Sequence, residues 1–260
     1  MTADSIHISL SAETIFHVGN FAITNSMFTT SVVSFLMILI AVLANRQLKA
    51  TDRPTGLQNF VEWVIEALFT LVHSITQDLK KTNRFFPLIA TFFLFILLNN
   101  WFGLLPGVGS ILKSKATDEH AIEEVAQEPA PPLFRAGTAD LNTTLALALI
   151  SILATQLFGM QSQKLSYFKK FLNFSSPIMF FVGILELISE FAKIISFAFR
   201  LFGNIFAGEV LLVVIAALLP LGVPLPFYGL ELFVGFIQAL VFSMLSLVFF
   251  NMATISHDEH

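Results

Sequence analysis

Cysteine is absent from the 260 residues, which excludes a disulfide framework, a thiolate metal site and a cysteine nucleophile. Charge is scarce as well. Asp, Glu, Lys and Arg together make up 12% of the chain, the formal net charge is -4, and Lys and Arg never gather into the basic stripe that tracks a phosphate backbone. Nucleic acid is not an expected partner. The sequence also lacks a G-x-x-x-x-G-K-[ST] phosphate loop and any nucleophile motif among its scattered Ser and Thr, so no cofactor is implied and the chain by itself hydrolyses nothing. What remains is apolar: 55% of residues are hydrophobic, 30 are Phe, and the mean hydropathy is +0.79. One or two soluble domains would suit the length, but this composition reads as a single all-α integral membrane domain over 1–260.

The tail 1–26 carries Asp4 and Glu13 and no Lys or Arg, so it lacks the positive region of a cleavable signal peptide, and the first apolar helix is expected to be retained. That helix spans 27–45, about the length that crosses ~30 Å of hydrocarbon. Segment 55–80 differs. Its apolar residues, among them Phe60, Val64, Leu68, Val72 and Ile75, recur at helical spacing, with Glu62, Glu66, His73 and Gln77 on the other side. This predicts an amphipathic helix on the cytoplasmic membrane surface, with Trp63 at headgroup depth, in preference to a buried soluble-type helix.

Further spans are predicted at 85–105 and 141–160. Between them lies the acidic loop 106–140, which holds Asp118, Glu119, Glu123, Glu124 and Glu128. Arg46, Lys49, Arg53, Lys80, Lys81 and Arg84 flank the amphipathic segment, and Lys164, Lys169 and Lys170 follow 160, whereas the acidic loop carries only Lys113, Lys115 and Arg135. The positive-inside rule then puts both basic stretches in the cytoplasm and the N-terminus and acidic loop outside. The tail 256–260, with His257 and His260, falls in the cytoplasm and reads as solvated rather than metal-binding, as do His17 and His120 outside.

Residues 178–219 form an uninterrupted apolar pattern of 42 residues without Pro, about 63 Å as a helix. It either breaks near Gly203 and Asn204 or crosses at a steep tilt. Pro220, Gly222, Pro224 and Pro226 reverse the chain, and 227–255 is the final helix. About five membrane-embedded helices plus one amphipathic surface helix result, the last two forming a hairpin.

This apolar hairpin contains Glu186, Glu190, Lys193, Arg200, Glu209 and Glu231, with Asn204 and Gln238. A charge at membrane depth costs at least ~2.5 kcal/mol and is expected to face protein or water, which marks an ion pathway. Glu186, Lys193 and Arg200 follow one another at steps of seven, a stripe that drifts only about 20° per step, and Asn204 extends it by one turn. Glu231 and Gln238 share the same step on the final helix. Glu186 or Glu190 can pair with Lys193 and merely neutralise a buried charge. Arg200 has no carboxylate within a turn or two, so its partner is expected from another chain. Glu209 lies on the opposite side of the helix from Arg200 and is expected to look toward Glu231 across the hairpin.

At Arg200 the chain reads FAFRLFGNIFAGEVLLVVIAALLP, which strongly resembles subunit a of the bacterial F-type ATP synthase membrane sector. The resemblance extends to PTGLQNFVEW, FLFILLNNWFGLLPG, TADLNTTLALAL and FIQALVFSMLSLVFF. It implies a stator of the cell's plasma membrane in which two long tilted helices pack along a ring of c subunits. Two offset aqueous half-channels would serve a carboxylate on each c subunit, with the subunit b stalk and the rest of the complex as further partners. By resemblance Arg200 is the essential arginine between the half-channels, Glu209 and Glu231 line the outer one with Asn204 and Gln238 nearby, and Glu186 lines the cytoplasmic one. Many bacterial relatives carry His where this chain has Glu231, so a carboxylate pair that shares one proton is expected there. A sodium-translocating version of the same subunit is the alternative. A free-standing transporter is disfavoured because no second copy of the Arg200 region occurs.

Overall fold

The protein is described from a computed structural model that covers residues 9–19, 21–47, 56–105, 108, 132–164, 167, 171, 176–219 and 222–255. Most of the acidic loop, including Asp118, Glu119, Glu123, Glu124 and Glu128 with His120, Lys113 and Lys115, lies outside the described residues. So do Lys49, Arg53, Lys169, Lys170, Pro220 and the tail 256–260.

The N-terminal segment is not a plain tail. Strands β1 (Thr14–Val18) and β2 (Phe21–Thr24) pair antiparallel, with Val18 opposite Phe21 and His17 opposite Ala22. The signal was two β-prone runs flanking Gly19, which turns the chain at φ 63°, a conformation that only glycine adopts readily.

Six helices follow: α1 (Asn25–Gln47), α2 (Leu57–Thr76), α3 (Leu79–Gly103), α4 (Leu141–Gln163), α5 (Pro177–Leu218) and α6 (Pro224–Ala253). All except α2 are long and apolar enough to cross a membrane, so the chain is an all-α multi-pass membrane protein with a sixth, amphipathic helix.

Several boundaries move for local reasons. The expected 55–80 element ends at Thr76, where Gln77 takes a left-handed conformation (φ 53°). Asp78 then caps α3 by accepting from the Lys80 backbone N–H at 2.8 Å, so α3 starts six residues before the expected position 85. Pro224 occupies the first turn of α6, where a missing N–H costs nothing. The prolines that were expected only to reverse the chain therefore also open the final helix. Ser176 caps α5 by accepting from Met179 N–H, and Pro177 follows it.

α5 runs unbroken for 42 residues. Of the two alternatives read from the sequence, the break near Gly203 and Asn204 does not occur. One glycine costs a helix only about 1 kcal/mol, and with no proline in 178–219 the backbone ladder stays complete.

The core is built from phenylalanine. Phe85 (α3), Phe158 (α4) and Phe250 (α6) form a trio with centroids 4.9 to 5.8 Å apart. Phe242 (α6) joins Phe92 (α3) to Phe197 (α5) at 5.5 and 5.0 Å, in edge-to-face contacts. α2 lays Leu68 and Val72 onto this core and leaves Phe60 and Trp63 exposed, so its apolar face covers protein as well as facing outward.

Small polar residues lock helix to helix, as expected where no water competes. The buried hydroxyls of Ser151 (α4) and Ser246 (α6) meet at 2.7 Å. At one end of the bundle, Gln163 donates to the carbonyls of Ala253 and Ile255, and Arg84 donates to Gln161. At the other end a short 3-10 turn (Gly137–Ala139) wedges between α1 and α3. A side chain at Gly137 would overlap Thr30 and Asn99.

Candidate functional site

α5 carries five of the six charged residues of the hairpin, Glu186, Glu190, Lys193, Arg200 and Glu209, and the structure sorts them. Glu190 is buried and bonds the Lys193 ammonium at 2.8 Å; that ammonium also lies 5.0 Å from the Phe249 ring of α6. A cation held by both a carboxylate and an aromatic face is neutralised in place, so the charge-pairing reading holds for Glu190. Glu186, one turn toward the start of α5, is half-buried.

Arg200 differs. Its guanidinium is exposed, donates to Ser196 Oγ at 3.4 Å and rests 5.8 Å from the Phe197 ring of its own helix. Among the described residues no carboxylate lies within ion-pair distance of it. Phe199 beside it is exposed as well, and along the helix the cation lies between Lys193 and Asn204 on the polar stripe of an otherwise apolar α5.

One turn further along the same stripe, Asn204 donates its amide to Gln238 Oε1 of α6 at 2.7 Å. The two polar stripes read from the sequence therefore meet at this bond. Gln238 is buried among α6 residues held from the other side by α3. Asn100 donates to the Gly235 carbonyl at 3.0 Å and accepts from Thr138, while Trp101 Nε1 donates to the Leu232 carbonyl.

Nearer the wedge end, Glu209 does not pair with Glu231. Its carboxylate takes the Arg135 Nε–H on both oxygens, at 3.0 and 3.1 Å. Glu231 is buried and lies against Gly208, where any side chain would overlap its carboxylate. The two acids still share a cavity of about 140 Å³, which Arg135, Asn100, Ile205 and Tyr228 also line. The geometry differs from the expectation because the hairpin brings Gly208, rather than Glu209, against Glu231. Glu209 turns toward the loop before α4 instead. Arg135 stands 74 residues from Glu209 in sequence and reads there as one more loop charge. Asn100 and Tyr228 were missed as well. The signal that was available is that Arg135 is the cation immediately preceding the small-residue AGTA turn.

At the opposite end Tyr167, 3% exposed, donates its hydroxyl to Gln156 Oε1 at 2.7 Å. Burial, and then the negative charges of Glu190 and Glu186, push its phenol up to about 12. His17 is exposed on β1. Among the described residues no cluster of three or more His, Asp or Glu is arranged to hold a metal.

The arrangement thus comprises an exposed cation without a carboxylate partner among the described residues, an amide bridge beside it, and a carboxylate-lined cavity at one end of the bundle. A family model described as ATP synthase A chain matches residues 27–251. A relative from Gloeobacter violaceus, ATP synthase subunit a, is 37% identical over 235 residues, which cover 90% of this chain and 85% of that protein. The family match runs from two residues into α1 to two residues before the end of α6 and takes in Arg135, Glu186, Glu190, Lys193, Arg200, Glu209 and Glu231, and the chain belongs to the ATP synthase A chain family, subunit a of the synthase membrane sector.

Proposed function

We propose that this chain is the proton-translocating stator subunit, itself without catalytic activity, and that Arg200 stands between two offset half-channels facing the c-subunit ring. The observation that carries the reading is the exposed Arg200 guanidinium, set on the polar stripe of the otherwise apolar helix α5 without a carboxylate partner among the described residues. Such a cation is too costly to leave facing lipid. A carboxylate presented by another chain on that face satisfies it, and a ring of c subunits presents one at every step.

Guanidinium keeps its proton in proteins. It therefore favours the ionised form of each passing carboxylate and blocks a direct leak between the two channels. Protons must enter on one side, travel around the ring and leave on the other, so ~2.3 kcal/mol per charge per 100 mV becomes rotation. The cavity holding Glu209 and Glu231 serves as the outer half-channel. Glu186 serves the cytoplasmic one. Asn204 and Gln238 hold α5 and α6 in register beside the arginine.

Orientation follows from charge. Arg46, Lys80, Lys81, Arg84 and Lys164 lie at the end of the bundle where α1 and α4 finish and α3 begins, and this end faces the cytoplasm of a bacterial plasma membrane. Subunit b is the further stator partner, docking outside the α5 face. The test is ATP-driven proton pumping in inverted membrane vesicles carrying Arg200→Ala, with assembly measured in the same preparation. Loss of pumping in an assembled complex is expected. Normal pumping would make the cation structural and sink the mechanism.

A further inference from the structure

Arg135 belongs to the loop preceding α4, yet it is only 6% exposed, while the Glu209 side chain that it holds is 36% exposed. The pair is thus asymmetric: the cation is enclosed and the carboxylate faces the cavity. All three nitrogens of the guanidinium donate. Nε serves both Glu209 oxygens, Nη1 donates to the Ser11 carbonyl at 3.1 Å, and Nη2 donates to the Ser9 carbonyl at 3.0 Å. The Phe206 ring of α5 lies 5.8 Å from the guanidinium carbon.

The loop that carries Arg135 is fixed independently. Its backbone N–H donates to Thr29 Oγ1 at 3.2 Å, and Thr29 in turn donates to the Asn25 carbonyl. Asn25 N–H donates to the Glu13 carbonyl at 2.9 Å. The N-terminal segment, the start of α1 and the loop before α4 therefore converge on one carboxylate. A planar fork with fixed donors does this, and a lysine ammonium does not reproduce it.

We propose that Arg135 is the positioning residue of the outer access route: it holds the Glu209 carboxylate at the cavity and ties residues 9–11 to the loop before α4. This rests on the reading of Glu209 as part of that route. Without Arg135, Glu209 rotates freely and residues 9–11 are untied from that loop. Arg135 touches no c-ring carboxylate and acts through Glu209.

The test uses the assembled synthase in inverted vesicles, with passive proton conduction measured after removal of the catalytic sector and normalised to assembled complex. The variants are Arg135→Gln, Arg135→Lys, Glu209→Gln, and the swap of Arg135→Glu with Glu209→Arg. Arg135→Gln is expected to lower conduction roughly tenfold or more, since hydrogen bonds to a buried charge are lost. Arg135→Lys should fall between that and the parent, because it restores the charge without the fork. The swap should conduct better than either single reversal. If Glu209→Gln loses conduction while Arg135→Gln keeps the parent rate, the proposal is overturned and the reading of the channel survives. Normal conduction by Glu209→Gln overturns both. If Arg135→Gln does not assemble, the swap decides: assembly and conduction support the pair, and failure of either overturns it.

Discussion

Asn204 of α5 and Gln238 of α6 are joined by one amide hydrogen bond of 2.7 Å, one helical turn from the exposed Arg200. This bond ties the arginine's helix to α6, which α3 grips through Asn100 and Trp101. The height of Arg200 along the bundle is thereby referred to α3 rather than left to the sliding of two apolar surfaces. Leucine against leucine specifies register poorly. A directed amide hydrogen bond between the two helices specifies it better.

Asn204→Leu and Gln238→Leu should each lower ATP-driven proton pumping, and the double variant should pump no worse than the poorer single. A bond of this kind contributes about 1 kcal/mol, so a coupling of roughly fivefold in rate is expected. Pumping rates for the four proteins, normalised to assembled complex, form the cycle. Strictly multiplicative losses would show that the two amides act separately.

Gly208 faces the Glu231 carboxylate so closely that a methyl group would occupy the same space. Gly208→Ala should therefore force α5 and α6 apart at the cavity and reduce the assembled complex severalfold, as overpacking of a tight core does. Adding Glu231→Ala removes the clashing group and should restore assembly, though not pumping. Immunoblotting of membranes for the assembled complex reads the first effect. An unchanged complex in Gly208→Ala would mean that the hairpin gives way cheaply at this level.

Tyr167 gives a prediction with a defined sign. In the unfolded chain its phenol ionises near the ordinary 10.0, whereas in the folded protein burial and the charges of Glu190 and Glu186 raise it to about 12. Below pH 10 both states hold the proton, so its contribution to stability is fully present there. As pH rises from 10 to about 12 the unfolded state alone releases the proton, and the contribution is lost. A near-ultraviolet phenolate titration of the parent minus Tyr167→Phe should show a midpoint near 12. A midpoint near 10 would mean that the phenol is solvated.

Hydrophobic periodicity and length were enough to set out five apolar spans and one amphipathic helix, because in hydrocarbon a backbone must satisfy its own hydrogen bonds and a run of about 20 apolar residues has few alternatives to a helix. The same reasoning singled out Arg200, since an uncompensated cation in an apolar run is conspicuous wherever the chain goes. The Glu190–Lys193 pair was legible too, because i,i+3 neighbours are set by helix geometry alone. What the sequence left open were choices between partners far apart in the chain. Whether α5 broke at Gly203 depended on the whole ladder, and the capping by Asp78 and Pro224 moved the helix starts.

The partner of Glu209 depended on which face of α5 the loop before α4 covers. That is decided by the packing of Gly137 against Asn99 and Thr30 and of Gly208 against Glu231, neither of which has a periodicity to read. Charge and hydropathy along one chain determine what must be buried and what must be compensated. Only the tertiary structure decides which oxygen meets which nitrogen, because those distances are set by close packing between helices that the sequence places far apart.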